Sequence, residues 1–340
     1  MLQSFLTEPH KIQFAESVKP SPRHGEVLVR LKLVGVCGSD VHMFQKGHRL
    51  EGPLTIGHEG MGIIESVGEG VSGQRTGERV VIEPNIPCMN CPECWKGKGN
   101  VCRNKRIVGV NETGCFAEYI RLPSAFVHTL PEAVPDNDAV AMEPAVVALS
   151  ALNRSNSKPG DTIGVIGLGA IGMLLTHIAL KLGYRVLVTE LVQSKIDRAV
   201  QMGAVFVKGG GSPEETSGIL ESTFQKEEIT ALFECAGSER SATLAIETAP
   251  RGVDVILMGL SEEDTTFKSR MLSRKGNRII PSLIYDHPLD FKRGIHLVER
   301  GIIHPGKVIS KYFALQDLAE ALALAQRGRE GKIVIRISDH

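Results

Sequence analysis

The stretch Thr162-Ile163-Gly164-Val165-Ile166-Gly167-Leu168-Gly169-Ala170-Ile171-Gly172 decides the fold of the second half of the chain. Its first five residues are typical of a buried strand, and apolar residues at helical spacing follow. In this context Gly-x-Gly-x-x-Gly indicates dinucleotide binding. Gly167 permits the tight turn, Gly169 lets the backbone approach a pyrophosphate, and Gly172 allows close packing of helix on strand. The first helical residues, Ala170 and Ile171, would face the phosphates. The stretch therefore predicts a Rossmann domain.

An acidic residue ends the strand predicted after this motif. Glu190 follows the β-rich run 185–189. A carboxylate there can accept hydrogen bonds from the adenosine ribose hydroxyls and would repel a 2′-phosphate, which favours NAD over NADP. Lys195 could reach the same region and soften that preference. The alternative interpretation of Glu190 is a solvated acid at a strand end.

The pattern of elements divides the chain into a mostly β part and an alternating part. Short β-rich runs separated by glycine and proline predict strands at 27–34, 62–67, 79–83 and 116–121. From about Lys158 the pattern alternates, with strands predicted at 162–166, 185–189, 204–207, 229–233 and 253–258 and helices at 171–182, 194–202 and 240–248. Repeated βα units imply a parallel sheet with helices on both faces.

The end of the chain returns to mixed structure, so the β-rich part is predicted to be split. Helices are expected at 288–300 and 315–326 and a strand at 332–337, while 209–218 is interpreted as a connecting loop. We expect an α/β chain with one domain at 1–148, a doubly wound parallel-sheet domain at 149–285 and a return to the first domain at 286–340.

Composition excludes several classes of protein. A length of 340 residues suits two domains, and 39 basic and 39 acidic side chains give no net charge that would favour nucleic acid or an anionic membrane. No apolar run approaches the roughly 20 residues of a membrane span. The N-terminus lacks a basic flank followed by an apolar stretch, so we expect no secretory signal and a cytoplasmic location.

Four closely spaced cysteines predict a closed metal site. Cys88, Cys91, Cys94 and Cys102 are separated by gaps of two, two and seven residues. Such spacing lets four thiolates complete a tetrahedron around zinc, which leaves no open position and indicates a structural role. An iron–sulfur cluster is the alternative, because it also takes four cysteines. Basic residues nearby would suit a zinc-ribbon contact with nucleic acid, but a solvated basic loop is the simpler interpretation.

A second group of residues predicts an open metal site. Catalytic zinc needs three protein ligands and one free position. Cys37 and His58 can supply two ligands, and the third would be a carboxylate from either Glu59 or Glu143; spacing does not choose between them. Each residue alone also has an ordinary structural interpretation, and what favours the metal is their occurrence together with the dinucleotide motif.

In combination these motifs resemble one family, the zinc-containing medium-chain dehydrogenases, in their sorbitol and threonine dehydrogenase-like branch. The resemblance covers essentially the whole chain and rests on motifs that follow in the family's order: Gly35-Val36-Cys37-Gly38-Ser39-Asp40-Val41-His42, Gly57-His58-Glu59 with Gly62 and Gly68, the four cysteines, Phe116-Ala117-Glu118-Tyr119, Glu143-Pro144 and the glycine-rich turn. It implies a GroES-like catalytic domain and a Rossmann domain with the active site in the cleft between them. It also implies that Ser39 and His42 form a proton relay, and it favours a homodimer or homotetramer joined through the nucleotide-binding domain.

Two stretches depart from the family pattern. Cys115 stands where the family usually has glycine, and the segment 274–281 lacks the common Lys-Glu and Gly pattern. The resemblance implies that the second region borders the subunit and substrate side, so we expect this departure to affect substrate and assembly rather than chemistry.

The predicted reaction is the oxidation of a secondary alcohol, with two zinc ions per chain and NAD as hydride acceptor. Zinc would lower the pKa of the substrate hydroxyl, Ser39 would accept its proton and pass it towards His42 or solvent, and Glu143 would lie at the reacting centre. A polyol or sugar-derived alcohol is the first substrate hypothesis and an amino-alcohol such as threonine the second. An alternative of another class is a catalytically inactive, cofactor-binding regulatory protein.

Overall fold

The computed structural model describes residues 1–48 and 51–337. The chain divides into two compact units, one built from two separate segments and the other from the continuous segment between them. The split unit contains Met1–Glu143 and the chain from Asp286 onward, and the inserted unit is Pro144–Tyr285. The chain therefore crosses between the units twice, after Glu143 and after Tyr285. Residues 338–340, at the end of the predicted return segment, lie outside the described residues.

The first part of the split unit is mostly β. Its strands are β1 (Leu2–Glu8), β2 (Lys11–Glu16), β3 (Glu26–Gly35), β4 (Glu59–Val67), β5 (Arg79–Ile82), β6 (Asn85–Ile86), β7 (Arg106–Ile107), β8 (Tyr119–Pro123) and β9 (Val127–Thr129). Its helices are α1 (Gly38–Lys46), α2 (Pro92–Trp95) and α3 (Asp136–Val140).

The inserted unit alternates helices and strands. Its helices are α4 (Met142–Arg154, which begins before the crossing), α5 (Ala170–Lys181), α6 (Gln193–Gln201), α7 (Pro213–Lys226), α8 (Glu239–Thr248) and α9 (Ser269–Lys275). Its strands are β10 (Thr162–Ile166), β11 (Arg185–Thr189), β12 (Val205–Phe206), β13 (Ala231–Glu234), β14 (Asp254–Leu257) and β15 (Arg278–Pro281).

The return segment completes the sheet of the split unit. It contains α10 (Leu289–Glu299), β16 (Ile309–Ala314), α11 (Leu318–Gln326) and β17 (Lys332–Arg336). The seven-stranded sheet has the order β16-β17-β3-β4-β5-β9, with β8 also pairing β3. Val34 of β3 lies opposite Gly60 on one side and Ile335 on the other. The last strand of the chain thereby reaches the part of the sheet where β3 ends and β4 begins.

The sheet of the inserted unit is parallel throughout and has the order β12-β11-β10-β13-β14-β15. Chain order reverses on either side of β10, and this topological switch is where open α/β sheets bind ligands beyond the carboxyl ends of their strands. Its strands are buried runs such as Ala231–Glu234, as expected for a sheet covered on both faces. The predicted fold class is confirmed.

Several predicted boundaries were wrong. The stretch 209–218 is not all loop, because α7 begins at Pro213. Ser212 caps this helix by accepting a hydrogen bond from the Glu215 amide at 3.1 Å, with proline in the first turn. The strand expected at 116–121 begins only at Tyr119, since the Phe116 amide donates to Ile56 rather than to β3. In the described parts of the chain no helix is long and apolar enough to cross a membrane.

Candidate functional site

The turn between β3 and α1 presents Cys37 beside a buried carboxylate. Cys37 is the residue before α1, and its amide donates to Asp40 Oδ2 at 2.9 Å. Asp40 Oδ1 accepts from the Gly57 amide at 3.1 Å and lies 3.5 Å from His58 Nδ1. The fully buried Asp40 thus holds both the Cys37 turn and the His58 loop. No role for Asp40 was predicted from the sequence, although an acidic residue three positions after a helix cap is a recognisable signal.

Cys37, His58 and Glu59 form a group able to hold a metal ion. One ligand atom from each residue can be chosen such that all three lie within 4.8 Å of one another. His58 and Glu59 are buried, and Cys37 is half-buried. The structure therefore brings together a thiol, an imidazole and a carboxylate that the sequence placed in two separate motifs, at the junctions of β3 with α1 and of the preceding loop with β4.

Lys332 binds the carboxylate of this group. Its Nζ lies 2.6 and 2.7 Å from the two carboxylate oxygens of Glu59 and donates to the Val36 carbonyl at 3.1 Å. Both side chains are buried. Gly35 is required beside them, because a Cβ at that position would overlap the Glu59 carboxylate. Lys332 was not anticipated from the sequence, where it only begins the last predicted strand.

Glu143 lies in the first turn of α4, buried in the same electrostatic environment but outside the group of three. Burial raises the pKa of Glu143 to about 7; Glu59 and Glu83 also raise it, while His58 and Lys332 oppose the shift. A carboxyl group in such surroundings holds a proton near neutral pH unless a cation replaces it.

The surroundings of His58 also favour a cation. Burial alone lowers the pKa of His58, but Asp40 and Cys37 outweigh burial and raise the pKa well above its ordinary value. His58 Nδ1 is buried without a well-formed hydrogen bond. Negative groups that favour an imidazolium favour a bound metal ion for the same reason.

Ser39 and His42 lie three residues apart on α1 and are exposed, so they share one face of the helix directly after Cys37. The proton relay assigned to Ser39 and His42 stays a prediction.

The four clustered cysteines converge. One sulfur from each lies within 4.8 Å of the others, and Cys91 Sγ is 3.5 Å from Cys94 Sγ and 3.8 Å from Cys102 Sγ. Burial and the adjacent thiols raise the pKa of Cys94 to about 12. Burial also raises the pKa of Cys102, but hydrogen bonds from the Cys88 amide and neighbouring groups outweigh burial and lower this pKa to about 7. Four sulfurs that converge in this way offer a complete tetrahedral ligand set for a metal ion.

The glycine-rich turn has the geometry that its glycines predict. Gly167 has φ +90°, where a Cβ would lie 2.7 Å from Ala236 Cβ, and a Cβ at Gly172 would overlap the Gly167 carbonyl. At Gly169 a Cβ would meet open space, so the turn has room on that side. Ala170 and Ile171 begin α5.

Glu190 is held against this turn by three backbone amides. Its Oε2 accepts from Leu168 at 2.7 Å, and its Oε1 accepts from Leu191 at 2.7 Å and Val192 at 3.1 Å. The link to Leu168 was not foreseen. Lys195 lies in the first turn of α6, and the described residues show no hydrogen bond or ion pair between it and Glu190.

Comparison with known proteins extends these observations over the whole chain. The family described as "Alcohol dehydrogenase GroES-like domain" matches residues 23–132, and "Zinc-binding dehydrogenase" matches residues 170–300. The starvation-sensing protein RspB of Escherichia coli K12 is 31% identical, with 99% of this chain and 100% of that protein covered. The sorbitol dehydrogenase of Bombyx mori is 30% identical, with 94% of each covered.

A solved structure agrees with the same assignment. RspB from Escherichia coli CFT073, complexed with NADH, superposes with a TM-score of 0.91 at 30% identity and 99% coverage of both chains. The chain therefore belongs to the zinc-containing medium-chain alcohol dehydrogenases, in the sorbitol dehydrogenase-like group, and is an enzyme that acts on CH–OH groups.

Proposed function

We propose that the chain oxidises a secondary alcohol of a polyol or sugar-derived substrate to a ketone, with NAD as hydride acceptor. The observation that carries this proposal is the group formed by Cys37, His58 and Glu59, whose ligand atoms lie within 4.8 Å of one another. A thiolate, an imidazole and a carboxylate are the donors that zinc accepts, and three ligands leave a position for substrate.

The residues fit a catalytic zinc. Cys37 and His58 would be two ligands, and because Asp40 lies beside His58 Nδ1, Nε2 would be the nitrogen available to the ion. Glu59 lies in the group with Cys37 and His58, which supports it as the third ligand, although both of its carboxylate oxygens also contact Lys332. Glu143 is the alternative carboxylate. Zinc content of Glu59→Gln and Glu143→Gln would distinguish them, because only loss of the ligand should release the ion.

When bound, zinc supplies Lewis-acid polarisation that lowers the pKa of the substrate hydroxyl. Ser39 then accepts the hydroxyl proton and passes it to His42 or solvent, one helical turn further along α1. Asp40 keeps the Cys37 and His58 segments in place through its hydrogen bonds to the two backbone amides.

The inserted unit would hold the dinucleotide. The backbone amides of Ala170 and Ile171, at the start of α5, would face the pyrophosphate, and Gly169 would leave the space for it. Glu190, held by three backbone amides, would present a negative charge to the adenosine ribose, and Leu191 beside it would offer no cation for a 2′-phosphate. This arrangement supports NAD over NADP. Lys195 would weaken the preference only by turning towards the same hydroxyls.

We assign the four-cysteine lobe to a structural zinc held by Cys88, Cys91, Cys94 and Cys102, for a total of two zinc ions per chain. All seven cysteines are free thiols in the structure, which agrees with a reducing, cytoplasmic environment.

The inserted sheet ends at β15, which has no partner strand on its outer side among the described residues. An open edge of this kind supports a homodimer or homotetramer joined through this unit, to be measured by sedimentation.

The substrate class rests on the relatives. The Bombyx mori protein is a sorbitol dehydrogenase, and the RspB structure contains NADH. The test is NADH formation, followed by absorbance, from sorbitol, xylitol, an aldonate and threonine, with and without a chelator. Chelator-sensitive turnover of a polyol is the expected result. Turnover of threonine alone would move the assignment to amino-alcohols, and activity that survives removal of all zinc would overturn the mechanism.

A further inference from the structure

The strand beside the glycine-rich turn ends in a buried acid that the proposed reaction does not use. Glu234 is the last residue of β13 and is 1% exposed. Its Oε1 accepts hydrogen bonds from the Ala236 and Gly237 amides, each at 2.8 Å. A carboxylate is unfavourable in a core unless donors satisfy it, and here the donors are backbone amides of the following turn. We call residues 235–237 the β13 turn.

The β13 turn packs against the glycine-rich turn. A Cβ at Gly167, the first glycine of the motif, would lie 2.7 Å from Ala236 Cβ. A Cβ at Gly172 would lie 3.1 Å from Cys235 Cβ, which is also a tight contact. The strands that lead into the two turns are paired in parallel, with Ile166 opposite Glu234. The two turns therefore lie side by side at the carboxyl edge of the sheet.

Glu234 also fixes the end of the next strand, β14. Its carbonyl accepts from the Met258 amide at 3.0 Å and from the Gly259 amide at 3.1 Å. A Cβ at Gly259 would overlap both the Glu234 carboxylate and the Gly237 backbone, so only glycine fits there. Cys235 Sγ lies 3.6 Å from Met258 Sδ and adds a contact between the two segments. One acid thus holds two neighbouring connections of the sheet.

We propose that Glu234 is a positioning residue for the nicotinamide half of the dinucleotide, because it fixes the β13 turn and the end of β14. The inference rests on the proposed function for its ligand. A doubly wound sheet binds one mononucleotide with each half, on either side of the strand where chain order reverses. That strand is β10, and Glu190, proposed for the adenosine ribose, ends β11 on one side of it. The opposite side, with β13 and β14, is then left for the nicotinamide mononucleotide.

Comparison of the two acids shows how their roles would differ. Glu190 and Glu234 each follow a strand that pairs with β10 or end it, and each binds amides of the residues directly after it. Glu190 also binds the Leu168 amide inside the glycine-rich turn, whereas Glu234 Oε2 lies against Gly259. Loss of Glu190 should therefore weaken contacts to the adenosine and pyrophosphate, and loss of Glu234 those to the nicotinamide half.

The test measures which part of the cofactor each variant still binds. NADH contains both halves, whereas ADP contains the adenosine and pyrophosphate without the nicotinamide riboside. Calorimetry gives the dissociation constants of both ligands for the full-length, zinc-loaded wild type, Glu234→Ala and Glu234→Gln. The control is Glu239→Gln, because Glu239 lies just after the β13 turn, in the first turn of α8, and accepts a hydrogen bond from Thr243 of the same helix.

Glu234→Ala is expected to weaken NADH binding on the order of tenfold, while ADP binding stays within about twofold of the wild type. Glu234→Gln keeps an oxygen that can accept from the same amides, so it should recover part of the NADH affinity. Gly259→Ala, whose methyl group would displace the Glu234 carboxylate, should reproduce the pattern of Glu234→Ala. Glu190→Ser should weaken both ligands, and Glu239→Gln should weaken neither.

Two results would overturn the positioning role and leave the proposed function intact. One is an equal loss of NADH and ADP affinity in Glu234→Ala, which would indicate general damage to the inserted unit. The other is an unchanged NADH affinity in that variant. If Glu234→Ala does not fold, Glu234→Gln and Gly259→Ala are judged by the same two criteria. A wild type that does not bind NADH would contradict both the proposed function and the role of Glu234.

Discussion

Lys332 Nζ donates to both carboxylate oxygens of Glu59, at 2.6 and 2.7 Å, and both side chains are buried. Burial lowers the pKa of Lys332, but Glu59 and Cys37 outweigh it and keep the pKa above its ordinary value. The lysine is therefore charged at neutral pH. It neutralises a carboxylate that belongs at the same time to the candidate metal group, so Glu59 has two possible cationic partners.

Replacing Lys332 by methionine should destabilise the zinc-free protein more than the zinc-loaded one. Removal of one partner of a buried pair leaves an uncompensated charge and costs about 3–5 kcal/mol. With zinc present, Glu59 can turn to the ion instead, so the loss should be smaller. The measurement is urea unfolding of Lys332→Met with and without zinc. Lys332→Met/Glu59→Gln, which removes both charges, is the control and should recover part of the loss; equal losses with and without zinc would contradict the exchange of partners.

Replacing Asp40 by asparagine should weaken zinc binding without unfolding the chain. Asparagine keeps the size of the side chain but removes the charge beside His58 and one acceptor for the Cys37 and Gly57 amides. Loss of such a supporting group typically lowers metal affinity roughly 10–100-fold. Competition with a chelator measures the affinity. Asp197→Asn, an exposed change on α6, serves as control; an unchanged zinc affinity in Asp40→Asn would show that Asp40 does not orient the ligands.

The parts of this molecule that sequence could predict are those built from neighbouring residues. The glycine-rich turn and the cysteine cluster each occupy one short segment, where spacing alone fixes which groups can meet. Helix α7 also had a local signal, Ser212 followed by Pro213 and Glu215, that the loop interpretation of 209–218 overlooked.

Lys332 illustrates what sequence could not predict. It lies 273 positions from Glu59, and only the pairing of β17 with β3 brings the two together. A lysine at the start of a strand is normally interpreted as an exposed end. The same holds for the buried carboxylate of Glu83, whose partner His287 is 204 positions away in the chain. Such contacts follow from topology, which periodicity and spacing within a segment do not contain.

Replacing Glu190 by serine should reduce the preference of the enzyme for NAD over NADP. The variant loses a charged acceptor for the ribose and also releases the Leu168 amide of the turn. Hydrogen bonds to charged groups contribute about 1.5–3 kcal/mol, so KM for NAD should rise on the order of tenfold to a hundredfold. Steady-state kinetics with NAD and NADP measure the change. Glu190→Gln keeps a hydrogen-bond acceptor without the charge, so its KM for NAD should lie between those of the wild type and Glu190→Ser. A wild-type preference for NADP would contradict the role of Glu190.

Replacing Arg278 by methionine should weaken the attachment of β15 in a pH-dependent way. Arg278 donates to both oxygens of Asp254 at 2.7 and 2.6 Å, across the pairing of β14 with β15. Burial raises the pKa of Asp254, but hydrogen bonds from Arg278 and the Asn156 amide outweigh it and hold the pKa below its ordinary value. A carboxyl group with a depressed pKa stabilises the folded state above its unfolded-state pKa, about 3.9, and loses that contribution as pH falls through the lower folded-state value.

The difference in unfolding free energy between wild type and Arg278→Met should therefore be full at neutral pH and shrink below about pH 4. Urea unfolding at several pH values measures it. The exposed Arg251→Met is a suitable control, because Arg251 bonds only a backbone carbonyl and no carboxylate in the described structure. Its difference from wild type should not depend on pH in this range. If the effect of Arg278→Met is instead constant down to the lowest pH, the arginine contributes packing rather than charge, and the ion pair does not stabilise the edge of the inserted sheet.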